Sequence, residues 1–94
     1  MVEILVMDKK FELGKVVQTQ GARAALHPIR VMSCLSRHQR GDWGDLCDED
    51  KKVNDFAVDN RERILSSYMD DDTKFWIITE ADRSSTCVLL PDEY

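Results

Sequence analysis

Arg63-Ile64-Leu65-Ser66-Ser67-Tyr68-Met69, Asp70-Asp71-Asp72, Thr73-Lys74-Phe75-Trp76-Ile77-Ile78-Thr79-Glu80, Ala81-Asp82-Arg83-Ser84 and Ser85-Thr86-Cys87-Val88-Leu89-Leu90 follow one another without a gap. They read as three β-branched and aromatic runs separated by two polar turns, with Pro91 ending the last run. Three consecutive strands joined by short turns make an antiparallel meander. In the middle run Phe75, Ile77 and Thr79 alternate with Trp76, Ile78 and Glu80, so both faces carry large apolar groups and the strand is expected at the centre of the sheet.

Working back from the meander, Asp48 to Asp59 reads as a helix. Asp48, Glu49 and Asp50 crowd its first turn, where the positive end of the helix dipole stabilises acids, and Val53, Phe56 and Ala57 are expected to mark its buried face. Gln39 to Leu46 breaks the pattern with Gly41 and Gly44 and reads as a structured loop, with Asp45 placed to cap the following helix. Pro28 suits the first turn of a helix running to His38, and His27-Pro28 ends a shorter helix over Gln20 to Leu26. Phe11 to Thr19 reads as a short strand, and residues 1–10 as an N-terminal extension or edge strand. The expected fold is a single α+β domain over 11–94, with two or three helices packed on an antiparallel β-meander of three to five strands. The sheet face away from the helices is left for the N-terminal strand, a partner, or a second copy of the chain, which makes a homodimer one reading.

The 94 residues carry a net charge of −5, divided unevenly: residues 1–40 sum to +4 and residues 41–94 to −9. An acidic second half repels phosphate at long range, which disfavours direct nucleic-acid binding and favours a basic protein surface as partner. No apolar run approaches the roughly 20 residues of a membrane-spanning helix, and Met1 to Val6 lacks the features of a signal peptide. The expected setting is the cytoplasm. Cys34, Cys47 and Cys87 form an odd set with no CxxC pair, as expected of free thiols.

The glycines at 14, 21, 41 and 44 fit neither GxGxxG nor GxxxxGK[ST], so those nucleotide-binding motifs are absent. His38 with Cys34 or Cys47 is the one pair suited to thiol chemistry or, with Cys87, to a zinc site, but a single tight ligand pair falls short of the usual pattern. No metal, cofactor or catalytic residue is therefore assigned. Glu80, Asp82 and Arg83 read as turn chemistry and a surface ion pair. The candidate interaction residues are Arg40, Asp42, Trp43, Asp45, Asp48, Glu49, Asp50, Asp70, Asp71 and Asp72. In this set Trp43 is either an aromatic anchor framed by Arg40, Asp42 and Asp45, or a core plug beneath capping aspartates. The acids serve either a partner or merely solubility, helix starts and a turn.

Arg37-His38-Gln39-Arg40-Gly41-Asp42-Trp43-Gly44-Asp45-Leu46, the run Thr73 to Ser84 and Leu89-Leu90-Pro91-Asp92-Glu93-Tyr94 together resemble a family of small bacterial proteins carried on plasmids, integrative elements and phages. Some of its members are labelled type I restriction subunit M, although this chain has no methyltransferase motif. The resemblance covers about Phe11 to Tyr94. It implies a non-enzymatic accessory protein of a mobile genetic element, of anti-CRISPR or anti-restriction type, that binds a host defence nucleoprotein complex. Two other readings stay open: a small metal- or thiol-dependent enzyme around His38, Asp42 and Asp45, and a nucleic-acid module using Arg23, Arg30, Arg37 and Arg40.

Overall fold

The computed structural model describes residues 8–94. Most of the expected extension or edge strand at 1–10 lies outside the described residues. Asp8 to Lys10 form a turn and irregular chain, tied down where the Lys10 N–H donates to the Gln39 carbonyl at 2.8 Å. The elements that follow are β1 (Lys15–Gln18), α1 (Gln20–Ala25), α2 (Pro28–Gln39), α3 (Asp48–Asn60), β2 (Ile64–Asp70), β3 (Thr73–Thr79) and β4 (Ser85–Leu89), closed by a 3-10 turn at Pro91–Glu93. Three helices and one four-stranded sheet make an α+β fold. Among the described residues no helix is long and apolar enough to cross a membrane.

The meander forms as expected, β2 antiparallel to β3 and β3 antiparallel to β4. The sheet as a whole is mixed, because β1 lies parallel to β4 and the order is β1-β4-β3-β2. This corrects the expectation of a wholly antiparallel sheet. Parallel neighbours need a long connection, and the three helices with the β2–β3 hairpin supply it between β1 and β4. Register places Ser66, Tyr68, Phe75, Ile77, Thr79, Thr86 and Val88 on one face. There Tyr68, Phe75, Ile77 and Val88 join Ala22 and Leu26 from the α1 segment and Val31 and Cys34 of α2 in the main core.

A smaller cluster of Phe11, Trp43, Ala57 and Ile64 sits at the α3 end of the molecule. Here α3 departs from its expected orientation. Its buried residues are Asn54 and Ala57, whereas Val53 is 63% and Phe56 58% exposed. The helix lies along the outer edge of β2, and its buried side serves that edge. The Asn54 amide donates to the Leu65 carbonyl at 2.7 Å and accepts from the Leu65 N–H at 3.3 Å. Two residues further on, the Ser67 N–H donates to the Trp43 carbonyl at 3.2 Å, and the Asp45 N–H donates to the Ser67 carbonyl at 2.7 Å. An edge strand that would otherwise present unpaired backbone groups is thereby closed by a side chain and a loop.

Gly44 is required at this closure. Its φ of +74° is left-handed, and a Cβ there would run into the Ser67 carbonyl and the Tyr68 ring. Gly44→Ala should therefore destabilise the fold by about 2–4 kcal/mol through strain and a displaced loop. Asn54→Ala, which strips two backbone groups of their partner, should cost about 1–3 kcal/mol. The exposed control Val53→Ala should change stability by less than about 0.5 kcal/mol. Urea denaturation of the three variants checks this order, and equal losses for Asn54→Ala and Val53→Ala would contradict the edge-closing role.

Candidate functional site

The loop from Arg40 to Cys47 holds the densest group of sequence-predicted residues, and the structure scatters their side chains. Arg40 is the exposed C-cap of α2. Asp42 meets Arg37 in a two-pronged ion pair at 2.8 and 3.2 Å, and the same carboxylate accepts the Gly44 N–H. The Arg37 hydrogen bond is the main reason that the Asp42 carboxyl titrates below its ordinary value. Trp43 is only 3% exposed, and its indole N–H donates to Asp55 at 2.9 Å. It is the core plug of the two sequence readings, not an accessible anchor. Asp45 is exposed but does not cap α3: the N-cap is Cys47, which makes no side-chain cap bond. The backbone of Asp45 is bound to β2 instead.

The aspartates of the β2–β3 turn also part company. Asp71 and Asp72 are exposed, with Asp71 in a left-handed conformation at φ 52°. Asp70 is buried and accepts from the His27 backbone N–H at 2.8 Å and from His27 Nδ1 at 3.1 Å, with Arg30 Nε at 3.8 Å. The backbone bond from His27 heads the causes that hold its carboxyl below the usual range. His27 is the N-cap of α2 and makes no cap bond with its own side chain, so Asp70 satisfies that helix start from another element. His27, Asp70 and Asp71 bring one ligand atom each within 4.8 Å of one another, a spacing that a cation could use. Asp70 already faces donors from His27 and Arg30, which accounts for the cluster without one.

His38 is fully buried, with Nδ1 against the Ser66 hydroxyl and Nε2 2.9 Å from that of Thr79. Phe11 and Trp43 present their rings to it at right-angled geometry, with centroids 5.1 and 5.9 Å away. Its two nitrogens thus meet hydroxyls inside the core, not Asp42, Asp45 or a thiol. Burial, with the Arg83 cation second, pushes its pKa down from 6.5 to about 3. Cys34 is buried and its thiol is pushed up by that burial, while Cys47 is exposed. Of the four arginines named for nucleic acid, Arg30 and Arg37 face the carboxylates of Asp70 and Asp42, and Arg23 and Arg40 are exposed.

What remains on the surface as one continuous feature is α3. Asp48, Glu49 and Asp50 stand exposed on its first turn, and Val53 and Phe56 project beyond them into solvent. Between α3 and β2 a cleft of about 280 Å³ is lined by Leu46, Asp50, Val53, Asn54, Arg63 and Leu65. Val53 and Phe56 each precede a buried residue by one position, which turns them about 100° around the helix from Asn54 and Ala57. Sequence reasoning missed them because it gave the most apolar stripe to the core. The polar signal that could have found the true buried side is Asn54, an amide able to pair with both backbone groups of an edge residue.

The comparison with known proteins gives no match to a family model, a curated protein or a solved structure.

The His38 environment yields a pH prediction with a definite sign. Between pH 6.5 and about 3 the unfolded chain carries a proton on this imidazole that the folded chain lacks. Its stabilising contribution is whole above pH 6.5 and is lost as the pH falls. Taking the chain from pH 7 to pH 5 should therefore remove about 2 kcal/mol of stability that His38→Gln does not lose. Urea titrations of both proteins at the two pH values measure the difference, and parallel behaviour would show that the imidazole protonates in the folded state.

Proposed function

We propose that this chain is a non-enzymatic interaction protein of a mobile genetic element, acting in the cytoplasm by binding and inhibiting a host defence complex of CRISPR or restriction type. The observation that carries the reading is the pairing on α3 of two large exposed apolar side chains, Val53 and Phe56, with the acidic turn Asp48, Glu49 and Asp50. Exposed aromatic and aliphatic groups beside a cleft supply the desolvated centre of a protein contact, and charge around them supplies orientation and speed of encounter. A groove that normally holds nucleic acid is basic, so an acidic helix gains ion pairs there while excluding the true ligand. A net charge of −5 over 94 residues favours a discrete contact over broad imitation of a duplex. The resemblance of the loop and meander sequences to mobile-element proteins supports the choice of a defence complex as partner.

Of the sequence-based candidates, Asp48, Glu49 and Asp50 remain central to this surface, joined by Val53 and Phe56. Arg40, Asp42, Asp45, Asp71 and Asp72 are exposed elsewhere, with Asp42 paired to Arg37, while Trp43 and Asp70 act inside the fold.

The test is co-expression of the chain with individual CRISPR and restriction systems while phage plating is counted, followed by binding measurements on the purified complex that is inhibited. Phe56→Asp should weaken binding about thirtyfold or more, as loss of a hot-spot residue does. Reversal of Asp48, Glu49 and Asp50 to lysine should slow association and abolish its salt dependence. Phe56→Asp should keep the parent Tm within the range of surface changes. The triple reversal sets three cations against the positive end of the α3 dipole, so it should lower Tm by several degrees while the circular dichroism spectrum stays that of the folded chain. Inhibition by both variants at full strength would rule this surface out.

A further inference from the structure

On a chain whose net charge is −5, one cleft is lined by cations. Lys9, Lys10, Arg61 and Arg83 meet Phe11, Glu12 and Val58 around a cavity of about 340 Å³, at the small end of the roughly 300–1,000 Å³ typical of ligand sites. Three elements distant in sequence supply the charge: the segment before β1, the end of α3, and the β3–β4 turn. Of these four cations only Lys9 has a carboxylate within ion-pair distance among the described residues, Glu12 at 2.9 Å.

Arg83 is the unusual member. The sequence places it in a surface ion pair, yet it is only 9% exposed, and the pair at that turn is Arg63 with Glu80 at 3.5 Å. Its guanidinium donates to the carbonyls of Glu62 at 2.7 Å, Glu80 at 3.0 Å, Ala81 at 3.3 Å and Ala57 at 2.9 Å. These carbonyls occupy Nη1 and one N–H of Nη2 but leave its charge in place. The C-terminal dipole of α3 offsets about half a unit of that charge. Arg61, the C-cap of the same helix with φ 52°, adds a second cation that repels the first. Burial and this repulsion both lower the Arg83 pKa, the signature of a cation short of an anion. The Arg83 guanidinium carbon lies over the Phe11 ring, 5.5 Å from its centre, at the cleft wall. Of the acids around it, Glu12 lies inside the cleft, Asp55 and Asp59 line a neighbouring hollow with Lys10 and Val58, and Asp82, held chiefly by hydrogen bonds from Ser84, also feels the Arg61 cation. Asp55 is held by Trp43.

We propose that this cleft binds a phosphate group, as inorganic phosphate or as the phosphate of a small monoester, with Lys10, Arg61 and Arg83 as its cationic wall. A tetrahedral dianion offers oxygens in several directions, which suits donors converging from three separate segments better than a single planar carboxylate does. The site lies apart from the exposed face of α3 and is independent of the partner proposed above.

The experiment is an NMR titration of the full chain at low ionic strength with sodium phosphate and, separately, with ribose 5-phosphate, against sodium chloride at matched ionic strength. The expected result is saturable shifts of the Lys10, Arg61 and Arg83 backbone amides with at least one phosphate probe and none with chloride. The tighter of the two probes identifies whether the free ion or the ester is the better ligand. Arg61→Gly keeps the left-handed cap while removing the charge, and Lys10→Ala removes an exposed ammonium, so the spectra of both should show the fold retained. Each should weaken phosphate binding about tenfold. Absence of saturation at roughly 10 mM of either probe, equal shifts with chloride, or undiminished binding by both folded variants would overturn the proposal. A response to duplex DNA alone, with neither small phosphate bound, would overturn it too.

Discussion

A buried chain of hydrogen bonds through His38 holds the layers of this protein in one arrangement. The imidazole of α2 joins the Ser66 hydroxyl of β2 to that of Thr79 on β3; Thr79 lies 2.7 Å from the Thr86 hydroxyl of β4, which in turn reaches the Leu13 carbonyl ahead of β1 at 2.7 Å. Every one of these side chains except Leu13 is fully buried. A polar chain of this kind is stable only when every member is matched, and among the described residues no buried side-chain nitrogen or oxygen lacks a partner. Shifting the register of any strand by one residue would carry Ser66, Thr79 or Thr86 to the other face and orphan the imidazole. The chain thereby selects one packing of helix on sheet from the many that apolar contact alone would allow.

The same economy governs the two ends of the meander. At the outer edge of β2, Asn54 and the loop around Gly44 replace the strand that a wider sheet would place there. At the β2–β3 turn, Asp70 leaves the surface to hold the start of α2. Many of the polar residues that look like site chemistry are thus occupied with backbone groups that secondary structure leaves unpaired. The outward side of α3, with Val53 and Phe56 exposed, is used by none of these tasks.

Charge follows a similar division. The acidic excess of the second half of the chain stands on α3 and the β2–β3 turn, where helix dipole and solvent accommodate it. The cations are not simply spread over the first half, as the sequence charge map suggests. Lys9 and Lys10 meet Arg61 and Arg83 from the acidic half across a cleft whose lining carries four cations and one carboxylate, Glu12.

Secondary structure was largely legible in the sequence because its signals are local. Pro28 starts α2, the acidic turn starts α3, and the polar turns at 70–72 and 81–84 bound strands of alternating apolar residues. The α+β class and the central place of β3 follow from those patterns. Local pattern could not say which side of α3 faces inward, because Val53 and Phe56 are better apolar candidates than Asn54, and only the position of the β2 edge makes an amide more useful than a methyl group. Nor could it tell that β1 runs parallel to β4, that Trp43 plugs the smaller core, or that Arg83 turns in beneath α3. Each depends on a partner tens of residues away, and composition and periodicity carry no information about which distant backbone group needs a donor or an acceptor.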